Sequence, residues 1–247
     1  MFGERKFNSL GLMIDCSRNA VMTVPQLKTF IKLLSEMGYN SFMLYTEDTY
    51  EVDGEAFFGY FRGRYTQSEL KEIDDFAYEH GVELIPCIQT LAHFTALVRW
   101  PEYAAIKDMD DILLVGDERT YRLIDRMISS LRKCFRTDKI HIGMDEAHNL
   151  GKGKYRDING EVDKTEILLY HLNRVCEITG KYNFKPMMWS DMFYRIASGG
   201  EYYSPSSAFD CSVKAKIPTD LSLVYWDYYH MDKSFYVNML KGHTQLT

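Results

Sequence analysis

Six short apolar segments rich in β-forming residues recur along this chain, and segments of helical periodicity separate them. The predicted strands lie at residues 10–16, 41–45, 82–88, 139–144, 185–189 and 221–225. Strands that alternate with helices pair in parallel through right-handed crossovers. The order therefore predicts an α/β protein, and it leaves open both a doubly wound open sheet and a closed barrel.

Polar and ionisable side chains follow nearly every predicted strand, whereas no glycine-rich phosphate loop follows the first one. They are Asp15, Arg18, Glu47, Asp48, His93, Asp145, Glu146, Asp191 and Asp227. Barrel enzymes take catalytic groups from the carboxyl ends of many strands, while an open sheet concentrates them at one switch point. We therefore predict a TIM-type (β/α) barrel, apparently incomplete, with about six of the usual eight strands present.

The length of 247 residues and the hydrophobic content of 46% suit one catalytic barrel domain over residues 1–247. The sequence stops where a seventh strand is expected, so we predict a C-terminally truncated barrel that lacks its final strands. Its open edges at residues 10–16 and 221–225 are expected to promote self-association, because unpaired strand edges template pairing with another chain.

Composition excludes several partners. The net charge of -6 gives the chain no electrostatic reason to bind nucleic acid or anionic lipid. No apolar window approaches the ~18 residues that a membrane span needs, and the N-terminus has no apolar signal region. Five widely spaced cysteines never form a CxxC pair, so we predict a reduced, cytoplasmic protein without structural zinc.

The strongest local motif is the apolar strand that ends in the adjacent carboxylates Asp145 and Glu146. Two carboxylates at a strand end can divide labour, one as an acid and one as a stabilising anion. An exposed helix cap or a salt-bridged pair is the structural alternative. A metal site is a third alternative, since His141 and His148 flank the pair, but the spacing matches no established zinc signature.

The segment His-Ile-Gly-Met-Asp-Glu at 141–146 resembles the His-x-Gly-Gly-Asp-Glu motif of glycoside hydrolase family 20, the β-N-acetylhexosaminidases. It departs from that motif at Met144, where a second glycine is usual. The overall pattern is most similar to a compact bacterial branch of the family. The resemblance implies that Asp145 and Glu146 are the catalytic residues, with His141 supporting them.

Further positions match the family in order and spacing. Arg18, in Asp15-x-x-Arg18, resembles the arginine that holds the hydroxyls of the terminal sugar. Glu47 and Asp48 resemble an acidic pair after the second strand. His93 resembles a histidine that supports the catalytic acid.

Three aromatic and acidic positions complete the resemblance. Trp189 resembles a wall of the acetamido pocket, and Tyr225-x-Asp227 resembles a motif whose Tyr binds the acetamido oxygen and whose Asp binds a hydroxyl. The family's last strands bring a further Trp and a hydroxyl-binding Glu, which this sequence does not contain. The matches extend over nearly the whole chain.

The resemblance implies removal of terminal N-acetylhexosamine, GlcNAc or GalNAc, from β-glycosides by substrate-assisted retaining hydrolysis. In this scheme the substrate's 2-acetamido oxygen attacks the anomeric carbon, which departs from the usual two-carboxylate mechanism. Asp145 orients the acetamide, and Glu146 protonates the leaving oxygen. No metal or organic cofactor is expected. An inactive barrel fragment or sugar-binding remnant is the alternative.

Overall fold

The structure of the chain is a computed structural model that describes residues 7–18, 21–204 and 211–246. The strands are β1 (Gly11–Asp15), β2 (Ser41–Tyr45), β3 (Glu83–Cys87), β4 (Lys107–Met109), β5 (Ile112–Leu113), β6 (Lys139–His141), β7 (Lys185–Trp189) and β8 (Ser222–Val224). The α-helices are α1 (Val24–Glu36), α2 (Gln67–Glu79), α3 (Thr95–Val98), α4 (Glu118–Cys134), α5 (Lys154–Asn159), α6 (Lys164–Lys181), α7 (Asp191–Ser198), α8 (Cys211–Lys214) and α9 (Lys233–Leu246). A 3-10 helix spans Pro101–Ile106.

The main sheet contains six strands in the order β1-β2-β3-β6-β7-β8. Strand β2 pairs in parallel with β1 and with β3, and β7 pairs in parallel with β8. Helices intervene between the successive strands of this sheet, as parallel pairing requires. This order and direction are those of an incomplete (β/α) barrel, so the predicted fold class is confirmed.

Five of the six predicted strands agree with the structure to within one residue at each end. The exception is the segment 139–144, in which the strand ends at His141. Gly143 and Met144 have φ angles of 72° and 69°. These angles lie in the left-handed region, so the chain leaves the strand before it reaches Asp145. Strand β5 lies outside the main sheet and forms a separate antiparallel pair with β4.

The chain divides into two compact units. One consists of Met1–Ile88 with Arg126–Ile140, and the other of Gln89–Asp125 with His141–Thr247. The prediction of one catalytic domain over residues 1–247 remains a prediction.

In the first unit, α1 and α2 contact each other through their apolar faces. Their buried side chains recur at helical spacing: Leu27, Ile31, Leu34, Leu70, Ile73 and Ala77. Helix α2 begins with a reciprocal cap, in which Thr66 accepts the Glu69 N–H and Glu69 accepts the Thr66 N–H. Such a cap satisfies two donors that a helix start otherwise leaves unpaired. The capping pair Thr66 and Glu69 therefore sets the start of α2, the helix between β2 and β3.

In the second unit, α6 packs on β7. Asp163 caps α6 by accepting the Thr165 N–H. His171 on the same helix is buried, and its Nε2 lies 2.9 Å from the carbonyl oxygen of Thr90. Burial lowers the pKa of His171 to about 4, so the ring is neutral near neutral pH. This neutral ring fixes the main chain of the segment that follows β3.

Four cysteines have side chains that the structure describes, and all four are free thiols: Cys16, Cys87, Cys134 and Cys176. The first three are buried and behave as small apolar side chains. The fifth, Cys211, has a side chain outside the described part of the structure. Within the ranges given above, no helix combines the length and the apolar character needed to cross a membrane.

Candidate active site

In the first unit, the residues that follow β1 and β2 form an ion pair. Arg18 Nη1 donates to Glu47 Oε1, and the Tyr45 hydroxyl donates to the same oxygen at 3.3 Å. Glu47 is almost fully buried, whereas more than half of the Arg18 side chain is exposed. A guanidinium with exposed donors suits recognition of neighbouring hydroxyls. Both residues follow the carboxyl ends of parallel strands, as the sequence predicted.

Asp48, the second acidic residue after β2, is buried and paired with a cation that sequence reasoning did not identify. Arg62 Nε donates to Asp48 Oδ1 at 3.0 Å, and Arg62 Nη2 donates to the Ser17 carbonyl. A guanidinium that bridges a carboxylate and a carbonyl holds two loop segments together. Arg62 therefore ties the segment after β1 to Asp48 in the segment after β2.

In the second unit, Asp145 is held by two side chains that follow β3. Gln89 Nε2 donates to Asp145 Oδ1 at 2.7 Å, and His93 Nε2 lies 3.2 Å from Asp145 Oδ2. Gln89 Oε1 also accepts the Met144 N–H at 3.1 Å. Although burial alone raises the pKa of Asp145, the His93 hydrogen bond and charge and the Gln89 amide more than offset it and lower the pKa. Asp145 is therefore a preorganised anion.

Glu146 follows on a turn that redirects its side chain. Its φ angle of 54° lies in the left-handed region, and 39% of its side chain is exposed. Glu146 Oε2 lies 3.8 Å from His93 Nε2. The adjacent carboxylates thus differ in environment, because Asp145 is hydrogen-bonded on both oxygens while Glu146 reaches toward solvent.

The departure from the family motif at Met144 has a structural explanation. Met144 adopts a φ angle of 69°, a conformation that glycine reaches without a Cβ penalty. Its side chain is fully buried, so apolar burial offsets the cost of the conformation. The turn that delivers Asp145 and Glu146 is therefore formed even though the second glycine is missing.

His141 and Trp189 lie against each other, with ring centroids 4.2 Å apart. His141 is fully buried and its Nδ1 accepts the Gly143 N–H at 3.1 Å. Burial lowers the pKa of His141 to about 4, so it is a neutral support for the turn. Trp189 at the end of β7 is partly exposed, which leaves ring surface available to a ligand.

Tyr225 and Asp227 follow β8 and contact each other directly. The Tyr225 hydroxyl donates to Asp227 Oδ2 at 2.9 Å, and His230 Nδ1 lies 2.9 Å from the same oxygen. Asp227 also accepts the backbone N–H of Tyr229. Although burial opposes them, these hydrogen bonds lower the pKa of Asp227 and keep it ionised.

Tyr202 supports this region and was not among the residues predicted from the sequence. It is buried, accepts the Trp226 N–H at 3.0 Å and donates to the Trp226 carbonyl at 2.9 Å. Its ring centroid lies 5.7 Å from that of Tyr225. One side chain thus fixes both the main chain after β8 and the ring of Tyr225.

Asp191 is another residue whose role was not predicted from the sequence. It begins α7, and its side chain is fully buried. Asp191 Oδ2 accepts the Glu146 N–H at 3.1 Å and lies 3.4 Å from Arg195 Nε. Burial, followed by the charge of Asp145, raises the pKa of Asp191 to about 7. The acidic residue two positions after Trp189 was visible in the sequence, but its contact with Glu146 was not.

The titration of Asp191 makes stability depend on pH. Its pKa is raised from 3.8 to about 7, so its stabilising contribution is complete below about pH 4 and is lost as the pH rises to about 7. The side-chain amide of Asp191→Asn does not titrate, so the variant lacks this pH dependence. We expect the free energy of unfolding of Asp191→Asn, relative to the parent, to rise by on the order of 4 kcal/mol between pH 4 and pH 7. Urea unfolding at each pH measures this difference.

The exposed residue Asp157 provides the matched control for that series. Asp157→Asn is expected to follow the pH dependence of the parent. Parallel curves for Asp191→Asn and the parent would show that Asp191 titrates as an ordinary carboxyl.

Three potential metal ligands lie together in the second unit. His93, Asp145 and Glu146 each offer one ligand atom, and these atoms lie within 4.8 Å of one another. This set shares Asp145 and Glu146 with the four residues that the sequence suggested, and it contains His93 in place of His141 and His148. Both carboxylate oxygens of Asp145 already have hydrogen-bond partners, Gln89 and His93. The arrangement therefore suits acid–base chemistry. The prediction that no metal is required stays a prediction.

A parallel α/β sheet with an Asp-Glu pair beyond one of its strands is an arrangement found in (β/α)-barrel glycosidases. Residues 7–232 match the family model for the glycosyl hydrolase family 20 catalytic domain. The chain therefore belongs to glycosyl hydrolase family 20, which confirms the resemblance found in the sequence.

Individual relatives agree with this assignment. The chain is 23% identical over 237 residues to Hexosaminidase D of Homo sapiens, covering 92% of this chain and 46% of the relative. It is 24% identical over 223 residues to Hexosaminidase D of Bos taurus, covering 85% of this chain and 60% of the relative. The chain thus spans about half the length of these curated relatives.

Solved structures show the same fold. The family 20 exo-β-N-acetylglucosaminidase of Vibrio harveyi, in complex with N-acetylglucosamine, superposes with a TM-score of 0.74 at 18% identity. The superposition covers 96% of this chain and 40% of the other.

Proposed function

We propose that this chain carries the catalytic site of a β-N-acetylhexosaminidase, which removes terminal non-reducing GlcNAc or GalNAc from β-glycosides. Membership of glycosyl hydrolase family 20 and the similarity to Hexosaminidase D support the reaction class. The single observation that carries the proposal is the network around Asp145. Gln89 and His93 hold this carboxylate ionised beside Glu146, as a mechanism with two unequal acids requires.

Asp145 acts on the substrate's acetamido group in this proposal. A carboxylate oxygen of Asp145 accepts the acetamide N–H, and the negative charge increases the nucleophilicity of the acetamide oxygen. That oxygen attacks the anomeric carbon. The same charge then stabilises the cationic oxazolinium ring. The lowered pKa of Asp145 supports this role, because the anion exists before the substrate binds. A preorganised charge aimed at a developing cation is worth several kcal/mol in a water-poor site.

Glu146 is the proposed general acid and base. Its exposed carboxyl protonates the leaving oxygen while the acetamide attacks, and it then takes a proton from the water that opens the oxazolinium ring. The product therefore keeps its anomeric configuration. The imidazole of His93 lies beside this carboxyl, 3.8 Å from Glu146 Oε2, which is too far for a direct hydrogen bond.

The remaining predicted residues bind or support the sugar. We assign the hydroxyls to Arg18 and Asp227, and the acetamido pocket to Trp189 and Tyr225. The partly exposed Trp189 ring, the exposed Arg18 donors and the ionised Asp227 support these assignments, since sugars present apolar C–H faces together with hydroxyls. Supporting roles fall to Glu47, Asp48, His93 and His141.

Hydrolysis of paired p-nitrophenyl β-glycosides tests the proposal directly. We expect the chain to release p-nitrophenol from the GlcNAc or the GalNAc substrate and to leave the β-glucoside, which lacks the acetamido nucleophile, almost intact. Equal rates on GlcNAc and glucose substrates would contradict the substrate-assisted mechanism. Binding of N-acetylglucosamine without any hydrolysis would favour the sugar-binding alternative.

A further inference from the structure

The strongest unassigned feature in the second unit is the environment of Asp191. Its carboxyl is fully buried at the start of α7, and Oδ1 makes no hydrogen bond within the described residues. A buried carboxyl costs free energy unless its partners compensate. The partners it does have are unusual, because one is the main-chain N–H of Glu146 and the other is Arg195.

The main chain of Glu146 needs such restraint. Its φ angle of 54° is one that a residue with a Cβ adopts rarely, and such a conformation persists only where its surroundings hold it. Asp191 Oδ2 holds the N–H on one side of this residue, and the Glu146 carbonyl accepts the His148 N–H at 2.6 Å on the other. The two contacts fix both peptide planes that determine where the Glu146 side chain points.

The neighbouring carboxylate is fixed in a different way. Asp145 is oriented through its own side chain, by Gln89 and His93. Among the residues that the structure describes, the ion-pair partner of the Glu146 side chain is His93, at 3.8 Å, which is too long for a hydrogen bond. Glu146 therefore depends on its backbone for its direction.

We propose that Asp191 is a positioning residue for the acid–base chemistry of Glu146, because its Oδ2 holds the Glu146 N–H and so aims the Glu146 carboxyl at the leaving oxygen. Arg195, four residues along α7, donates through Nε to the same Oδ2 at 3.4 Å and steadies the Asp191 carboxyl. This inference rests on the proposed function for its effect on catalysis, whereas the hydrogen bond itself can be tested without any activity.

Two variants separate the hydrogen bond from simple packing. Asp191→Asn keeps an oxygen that can accept the Glu146 N–H, and Asp191→Leu has nearly the same size but no acceptor. Asp157→Leu, on the exposed surface of α5, is the matched control. A 1 Å misplacement of a catalytic group can cost ~10²-fold in rate.

The kinetic test compares two β-N-acetylglucosaminides, one with a methoxide leaving group and one with 2,4-dinitrophenolate. Methoxide needs protonation by Glu146, whereas dinitrophenolate leaves without it. We expect Asp191→Leu to lose roughly 10²-fold in kcat on the methyl glycoside and only a few-fold on the dinitrophenyl glycoside, with KM little changed. Asp191→Asn should retain most of the methyl glycoside rate. Equal losses on the two substrates, or no loss in Asp191→Leu, would overturn the positioning role.

A second measurement does not require hydrolysis. In protein labelled with ¹⁵N-glutamate, the amide signal of Glu146 is identified by its disappearance in Glu146→Gln. We expect this amide to exchange with solvent much faster in Asp191→Leu than in the parent, and to stay protected in Asp191→Asn. If the parent hydrolyses neither substrate, the proposed function fails while this experiment still decides the hydrogen bond. Unchanged exchange in Asp191→Leu would refute the positioning role whatever the activity.

Discussion

We expect Asp145→Asn to lower kcat for p-nitrophenyl β-N-acetylglucosaminide by about 10²–10³-fold, the scale on which a preorganised electrostatic group acts. The amide keeps the shape of the side chain but loses the charge that stabilises the oxazolinium cation. Because Asp145 makes no bond to the hydroxyls in this scheme, the order of preference among N-acetylated sugars should stay the same. Steady-state kinetics on GlcNAc and GalNAc substrates measure both quantities.

A thiazoline analogue of the cyclised intermediate provides the binding counterpart. It should bind to the parent far more tightly than N-acetylglucosamine does, because it mimics a state close to the transition state. Asp145→Asn should lose most of that advantage, and the control Asp157→Asn should keep it.

Trapping with a 2-fluoro sugar followed by mass spectrometry tests the alternative mechanism, in which an enzyme carboxylate is the nucleophile. A covalent adduct on Asp145 or Glu146 would replace substrate assistance with an ordinary enzyme nucleophile.

Glu146→Gln is expected to have an effect of similar size that depends on the leaving group. Removing a general acid costs about 10²–10⁴-fold on alkyl glycosides, whose leaving oxygen must be protonated. Glycosides of 2,4-dinitrophenol should lose much less in the glycosylation step. Rates are measured for a series of glycosides whose leaving groups differ in acidity. The slope of log rate against leaving-group pKa is then compared between the parent and the variant.

The control for this series is Glu177→Gln on the exposed surface of α6, which should leave all rates unchanged. Equal activity of Glu146→Gln and the parent on an alkyl β-N-acetylglucosaminide would remove Glu146 from the acid role. The same substrate set then serves the Asp191 variants, so that the two residues can be compared on one scale.

The strands were predicted well because their signal is local. Each apolar run of the sheet is short, and helix starts such as the capped Thr66 separate one run from the next. The strand at 139–144 is the informative failure. Its apolar residues continue to Met144, but the chain turns at Gly143 because the next residues adopt left-handed angles. A hydrophobic pattern indicates which residues are buried, not which are in a strand. Met144 is buried, but it lies beyond the end of the strand.

The site was predictable to the extent that it follows strands. Residues that follow parallel strands within a few positions lie near the carboxyl ends of those strands. The structure shows this for four of the predicted residues: Arg18, Glu47, Asp145 and Tyr225. Their chemical roles came from the resemblance to glycoside hydrolase family 20, not from their spacing.

The sequence by itself determined the α/β class, the position of the strands and the family, because these depend on short-range pattern and on ordered motifs. Tertiary structure alone decided which side chains meet. Gln89 reaches Asp145 from 56 residues away, and Asp191 reaches the Glu146 N–H from 45 residues away. Such contacts depend on how separate strands and loops are brought together and on the φ angle of single residues, which periodicity does not encode. The contacts that make Asp145 an anion and direct Glu146 therefore became visible only in the folded chain.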